Sequence, residues 1–529
     1  MSNLTNLTNL NKVKVSSILA ISLSVLCACS AEVVQDNQQK STDKPNIVIF
    51  YVDDLGWGDL SSYGATQVNT PNVDALAANG IRFTDAHSSS ATCTPSRYSL
   101  LTGEHAFRKN VKILKGDAAM VISPEQNTLP KMLKNNGYQT AVVGKWHLGL
   151  GDGKKDIDWN SNVLPGPLEI GFDYSFLLPA TGDRVPTVYL ENHQVLNLSK
   201  DDPLYVNYQE KIGNRPTGYE NRELLRQNAD SQHDKSIING ISRIGWMKGG
   251  KSAEWVDEDF PLVLTERANN FISNNQEKPF FLFFSFHDIH VPRVPNEKFK
   301  GATKMGVRGD AIVQMDWITG EVVNHLKALD LLDNTLVIFT SDNGAVLTDG
   351  YDDDALKLIG DHKANGVYNG GKYSAFEGGT RVPLILYYPK QVKAGVSDSL
   401  TSQIDIYASI SQLLNIELGN DEAIDSQKKL NGFFNANEEA RDVLIEETPF
   451  TLAIRENNWK YIRPANRVPK FIKTKKNINS GTSTGVQLYN LDIDPSEQSN
   501  IAHKHPDIVA RLEQKMVNIE NQSKRVNDL

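Results

Sequence analysis

Five short runs rich in β-branched and aromatic residues, Ile47–Val52, Thr140–Val143, Phe280–Phe286, Leu336–Phe339 and Leu384–Tyr388, set the tightest limit on the fold. They read as strands covered on both faces rather than half exposed. Most are separated by stretches long enough for a crossover helix, among them Asn72–Asn79, Thr128–Asn135, Pro261–Ile272 and Asp310–Leu329. The combination predicts an α/β fold with a large, mostly parallel sheet sandwiched by helices. A chain of 529 residues, 40% hydrophobic and 22% charged, can fill such a core, and that balance excludes disordered, collagen-like and coiled-coil classes.

Open parallel sheets bind ligands beyond the carboxyl ends of their strands. Here those ends are polar. Ile47–Val52 runs into Asp53-Asp54, Thr140–Val143 into Gly144-Lys145-Trp146-His147, Phe280–Phe286 into His287-Asp288-Ile289-His290, and Leu336–Phe339 into Thr340-Ser341-Asp342-Asn343. One pocket can collect all four. Asp53, Asp54, Asp342 and Asn343 offer only oxygen ligands, which selects a hard divalent cation, calcium ahead of magnesium, over zinc or copper. The net charge of -9 leaves no broad basic face for nucleic acid, so an anionic substrate needs a local pocket of positive charge.

Cys93 is the one cysteine in the globular body, within Cys93-Thr94-Pro95-Ser96-Arg97-Tyr98-Ser99-Leu100-Leu101-Thr102-Gly103. This segment resembles the type I sulfatase signature, in which the cysteine is oxidised by a maturase to Cα-formylglycine. Gly144-Lys145-Trp146-His147, His290 before Val291-Pro292, and Lys372 upstream of Glu377-Gly378-Gly379-Thr380-Arg381 resemble further segments of that family. The resemblance covers roughly residues 46–389 and implies an alkaline-phosphatase-like scaffold. It implies that Asp53, Asp54, Asp342 and Asn343 hold calcium with an oxygen of residue 93, that Arg97 stabilises the attacking oxygen, and that Lys145 and Lys372 bind sulfate oxygens. His290, with Lys372, protonates the departing sugar oxygen, and His147 takes the proton that releases sulfate. His287 is a substrate contact or a support for the ligands, and Arg381 anchors the Glu-Gly-Gly turn.

The region 182–259 has little strand periodicity and reads as an elaboration over the pocket. Asp183, Arg184, Tyr189, Asn192, His193, Asn239 and Arg243, with Arg293, form a set suited to sugar hydroxyls. The segments around Thr181–Pro186 and Asn239–Arg243 resemble sulfatases acting on galactose-configured sugars sulfated at O4. A phosphonate or phosphate ester hydrolase of the same superfamily and a non-catalytic glycan-binding lipoprotein are the competing readings.

Lys12 and Lys14 precede the apolar run Ile18–Leu26, too short to span a bilayer comfortably and of the length of a signal-peptide core. Leu26-Cys27-Ala28-Cys29 resembles a bacterial lipobox with lipidation at Cys29. The expected organisation is a signal peptide over 1–28, a tether over 29–44, a catalytic domain over 45–418 and a C-terminal subdomain over 419–529. In the last, closely spaced short strands from Asp442 to Leu491 predict an antiparallel sheet, and His505–Gln522 a terminal helix. The chain is expected to be exported in a Gram-negative bacterium and lipid-anchored, periplasmic or at the outer membrane or cell surface. A sulfated carbohydrate is the expected substrate and the maturase a partner; a lipid is the sole membrane contact.

Overall fold

The computed structural model describes residues 44–525. The expected signal peptide, Cys29 and the expected tether up to residue 43 lie outside the described residues. A ten-stranded sheet is built from β1 (Asn46–Val52), β2 (Ile81–Phe83), β3 (Gln139–Lys145), β4 (Tyr174–Leu178), β5 (Leu190–Glu191), β6 (Gln194–Val195), β7 (Phe280–Ser285), β8 (Thr335–Ser341), β9 (Leu384–Tyr387) and β10 (Gly395–Ser397). The spatial order is β10-β2-β9-β8-β1-β7-β3-β4-β5-β6. The central five, β8-β1-β7-β3-β4, are parallel, with Phe50 in register with Phe284 on one side and Phe339 on the other. Strand β9 pairs antiparallel with β8, and β5 antiparallel with β4.

Alternation along β1 explains why every residue from Ile47 to Val52 is apolar yet the sheet has two faces. Ile47, Ile49 and Tyr51 pack with Tyr98, Leu100 and Leu101 of α2 (Cys93–Thr102) and Leu129 and Leu133 of α3 (Leu129–Asn135). Val48, Phe50 and Val52 point the other way, toward Val73 of α1 (Pro71–Asn79), Leu264 and Phe271 of α4 (Phe260–Asn274), and Ile312 and Ile318 of α5 (Gly306–Ala328). Phe283, on β7 at the middle of the sheet, is 1% exposed and lies 5.5 Å from the Tyr51 ring. Phe283→Ala is therefore expected to destabilise the protein by about 3–5 kcal/mol, read as a lowered denaturation midpoint.

Beyond the large sheet, β11 (Val443–Glu447), β12 (Leu452–Glu456), β13 (Trp459–Ile462) and β14 (Gln487–Asn490) form an antiparallel meander. Leu512 and Met516 of the terminal helix, Pro506–Asn521, pack on Ile445, Ile454, Tyr461 and Leu488 of this sheet. Its other face is fixed to the large sheet by buried ions. Lys460 reaches Glu377 at 2.9 Å and Glu446 at 2.6 Å, and Arg455 reaches Asp85 at 2.7 Å. At one corner Glu447 exchanges backbone hydrogen bonds with Ser89 and Ala91, holding the polar stretch that leads into Cys93. Among the described residues, no helix is long and apolar enough to cross a membrane.

Candidate active site

Because β1 and β8 are parallel neighbours, their carboxyl ends bring Asp53-Asp54 beside Asp342-Asn343. All four side chains are fully buried. Asp53, Asp54 and Asp342 each place an oxygen within 4.8 Å of the others. Asp53 Oδ1 and Asn343 Oδ1 have no hydrogen-bond partner, an arrangement that costs about 1–3 kcal/mol per orphaned group unless something binds there. Burial and the neighbouring Asp53 push Asp342 up to about 7, and burial also raises Asp54. Crowded carboxylates with unused oxygens and no thiolate among them fit a hard cation such as calcium. Asp54 has φ +59°, a left-handed backbone that few non-glycine residues adopt and that clusters at functional sites.

Three cations from separate elements converge on this cluster. Arg97 lies one helical turn beyond Cys93 on α2, so both side chains point to the same face. Its Nε and Nη2 grip Asp342 Oδ2 at 3.1 and 2.8 Å, and Nη1 donates to Ser285 at the end of β7. Lys145 donates to Asp53, and Lys372 to Asp54 Oδ2 at 2.9 Å. Although burial pushes Asp53 up, Lys145 and His290 hold it well below the usual carboxylate range. Against burial, Asp54 holds Lys372 well above the ordinary lysine range, so it stays protonated.

Cys93 opens α2 and is 2% exposed. Its Sγ lies 3.3 Å from His147 Nδ1. Burial raises the thiol, so the unmodified side chain is a poor thiolate nucleophile. His147 Nε2 lies 3.1 Å from the Leu114 carbonyl, which can only accept; the ring proton therefore sits on Nε2 and the Nδ1 lone pair faces residue 93. Burial and the charge of Lys145 hold His147 well below the usual histidine range, keeping that lone pair free. The turn that aims it is strained: His147 has φ +54°, and Gly144 has φ +109° where a Cβ would stand 1.9 Å from the Ser285 carbonyl. His290 donates from Nδ1 to the Val291 carbonyl at 2.6 Å, leaving Nε2 3.9 Å from Asp54. His287 stands behind, accepting from the Gly182 N–H at 3.1 Å with Nδ1 4.0 Å from Asp53. Arg381 binds Glu377 at 2.9 Å within the Glu-Gly-Gly turn.

A cavity of about 350 Å³ opens above Cys93, His147, His290 and Lys372, enough for roughly one sugar ring. Of the residues expected to meet sugar, Asp183 and Arg184 line it, ion-paired at 2.5 Å. Six others lie elsewhere, for identifiable reasons. Tyr189 is packed among Phe176, Trp255 and Phe260. Asn192 accepts from the Ser175 N–H at the sheet edge, and His193 binds Glu169 at 3.0 Å. Asn239 holds the Trp255 carbonyl, and Arg243 is buried against Asp257 at 2.8 Å and the Gly182 carbonyl. Arg293 clamps Asp353 at 2.7 Å and the carbonyls of Ile289 and Val346.

Sequence reasoning missed residues that do line the cavity. His233 Nε2 lies 3.5 Å from Asp183, and its Nδ1 2.7 Å from Asp230. Asp349 bridges Lys372, at 3.1 Å, to Lys476. Phe450, Phe471 and Lys476 reach in from the C-terminal part of the chain. They sit in loops or a short helix, and no periodicity or motif marks them.

A carboxylate cluster able to hold a cation, at the carboxyl edge of a mostly parallel sheet and ringed by Arg97, Lys145 and Lys372, suits hydrolysis of anionic esters. The chain belongs to the sulfatase family: the family model "Sulfatase" matches residues 45–416, and the protein is a sulfuric ester hydrolase. It is 47% identical over 492 residues to N-acetylgalactosamine-6-O-sulfatase of Bacteroides thetaiotaomicron, covering 93% of this chain and 96% of that protein. Human arylsulfatase H is 31% identical over 416 residues, 73% of this chain and 71% of that one. A structure solved in work on glycosaminoglycan metabolism by Bacteroides thetaiotaomicron superposes with a TM-score of 0.89 at 47% identity, covering 91% of this chain and all of that one.

Proposed function

We propose that this sulfatase removes the O6 sulfate from N-acetylgalactosamine units of a sulfated carbohydrate. The observation that carries the reading is the 47% identity, over nearly the whole of both chains, to a protein named for that ester. The relative favours O6 over the O4 position that the 181–186 and 239–243 segments suggest. A single-ring cavity with Asp183, Arg184 and His233 on one wall supports a carbohydrate leaving group, since such paired polar side chains bind ring hydroxyls directionally.

Asp53, Asp54, Asp342 and Asn343 would hold a calcium ion, which when bound would supply positive charge for an anionic ester. Cys93, if oxidised to formylglycine, would supply a nucleophilic oxygen at the start of α2. The chain's own residues do the rest. Arg97, anchored through Asp342 and Ser285, offers a fixed guanidinium beside residue 93. Lys145 and Lys372 neutralise sulfate oxygens on arrival, in a buried site where such charges act strongly. His147 Nδ1 accepts a proton from residue 93, the role its neutral tautomer suits. Burial holds His290 well below the usual histidine range, so on the leaving-group side the negative charge of a bound sulfate ester would be needed to put a proton on Nε2, and that proton passes to the sugar oxygen. The N-terminal segment supports export and lipid attachment at Cys29, and the motif at Cys93 supports a maturase as partner.

N-acetylgalactosamine 6-O-sulfate is expected to be desulfated at least about 100-fold faster, in kcat/KM, than its 4-O-sulfated isomer by protein carrying the modified residue 93. Ion chromatography of released sulfate reads both. Preference for the 4-O-sulfate returns the reading to O4, and phosphate release from a phosphonate or phosphate ester at a comparable rate overturns it.

A further inference from the structure

The chain is acidic overall, yet between Glu456 and Asp492 it carries seven lysines and arginines and not one aspartate or glutamate. Within it, Lys460 is buried against Glu377 and Arg463 pairs with Glu513 and Glu520, while one helix of the stretch reaches the reaction cavity. The helix Lys470–Lys476 contributes Phe471 and Lys476 to the cavity wall. Lys476 is buried and turned inward to Asp349. Arg467, Lys470, Lys473 and Lys475 are exposed, and among the described residues no carboxylate is ion-paired to any of them. Their neighbours are aromatic: Phe471 is 46% exposed and meets Phe450 edge to face with centroids 6.1 Å apart.

A second hollow of about 380 Å³ adjoins the first and shares Ile113 and Pro449 with it. Exposed Lys112 stands on its wall, beside Asn110 and Thr448. Beside the cavity, unpaired positive charge thus stands on two separate segments, at Lys112 and on the helix Lys470–Lys476 that supplies Phe471 and Lys476 to the wall, with Ile113, Pro449 and Phe450 also lining it. Surface lysines held apart from any carboxylate keep their full charge for a partner, and at physiological salt that charge reaches only about 8 Å. What they bind must therefore lie against the rim.

We propose that this rim is a binding surface for the anionic sugars that flank the unit in the cavity, so that the enzyme acts on a continuing polyanionic oligosaccharide rather than on a free monosaccharide alone. The inference rests on the carbohydrate-sulfatase reading above. The cavity holds about one ring, so any neighbouring sugar emerges at the rim, where its carboxylate or sulfate meets Lys470, Lys473 and Lys475 and its apolar face meets Phe471. An anionic membrane would satisfy the same charge, but seated on this rim it would close the cavity.

The test compares wild-type enzyme with the triple variant Lys470→Ala, Lys473→Ala, Lys475→Ala on two substrates. One is N-acetylgalactosamine 6-O-sulfate; the other is a hexasaccharide alternating uronic acid with that sugar. On the hexasaccharide the variant is expected to lose about tenfold in kcat/KM, mostly through KM, and to lose most of the salt dependence between 50 and 300 mM, as a local electrostatic contact should. On the monosaccharide it should stay within about twofold, because none of the three touches the reacting groups. Equal losses on both substrates, or none on either, overturn the inference. So does tighter sedimentation of wild type than variant with phosphatidylglycerol vesicles while hexasaccharide kinetics are unchanged. Absence of wild-type activity on both substrates instead overturns the underlying reading; hexasaccharide affinity of the two proteins by calorimetry then decides the rim separately, equal affinities sinking it.

Discussion

Cys93→Ser is expected to lower turnover of the sulfate ester by at least about 10³-fold, with no loss of thermal stability, in a host that modifies the wild-type residue. The substitution is close to isosteric within a fully buried helical turn, so α2 and Arg97 keep their places. Chemistry changes instead. Serine brings one hydroxyl, and once that oxygen carries sulfate, no second hydroxyl remains from which His147 Nδ1 can take a proton to expel the group. A stalled protein heavier by a sulfuryl group, seen by intact mass after exposure to substrate, is the expected trace. Steady multiple turnover by the variant, with residue 93 shown to be unmodified serine, would contradict the assigned roles of both Cys93 and His147.

Withdrawal of the divalent cation should have the next largest effect. Dialysis against a chelator is expected to reduce kcat by at least about 10²-fold, and calcium should restore it. Asp54→Ala should show the same loss without restoration, because it removes one oxygen ligand and the acceptor of both Lys372 and Asn343. Calcium should also raise the melting temperature of wild type, by binding the folded state alone, and leave the variant's almost unmoved. Full activity after exhaustive chelation, checked by elemental analysis, would mean that the buried carboxylates serve only to position Arg97, Lys145 and Lys372.

Most of the large sheet was legible because its central strands are buried on both faces, and their apolar runs announce it. The strands Ile47–Val52, Thr140–Val143 and Leu336–Phe339 lie inside β1, β3 and β8, which extend a residue or two further at one or both ends. The carboxylate cluster and Lys145 were legible for the same reason: they sit at the end of a strand or directly after it, so locating the strand locates the side chain. Arg97, on a helix, and Lys372, in a loop, were legible only through motifs that resemble the sulfatase family's. The sugar-facing wall was legible only at Asp183 and Arg184. Tyr189, Asn192, His193, Asn239 and Arg243 carry suitable chemistry, but the segment 182–259 turns them toward Trp255, Ser175, Glu169 and Asp257, and Arg293, beyond it, is turned to Asp353. Polarity in an irregular segment gives composition without direction. Lys476 and Phe471 were missed for the opposite reason: they lie far along the chain from every motif and reach the cavity only because the antiparallel sheet docks through Lys460 and Arg455.

That docking also gives residue 93 a schedule. The cavity wall is finished only when Lys476 exists, roughly 380 residues after Cys93 in the sequence. At about 5–20 residues per second of synthesis, the thiol waits about 20–75 s before the chain that encloses it is complete. Once enclosed, it is 2% exposed at the floor of a one-ring cavity, too narrow for another protein's active site to enter. On the proposed reading, oxidation of Cys93 would be a race against folding: slowing the closure of the C-terminal sheet would raise the modified fraction, and speeding it would strand molecules that are folded and inert.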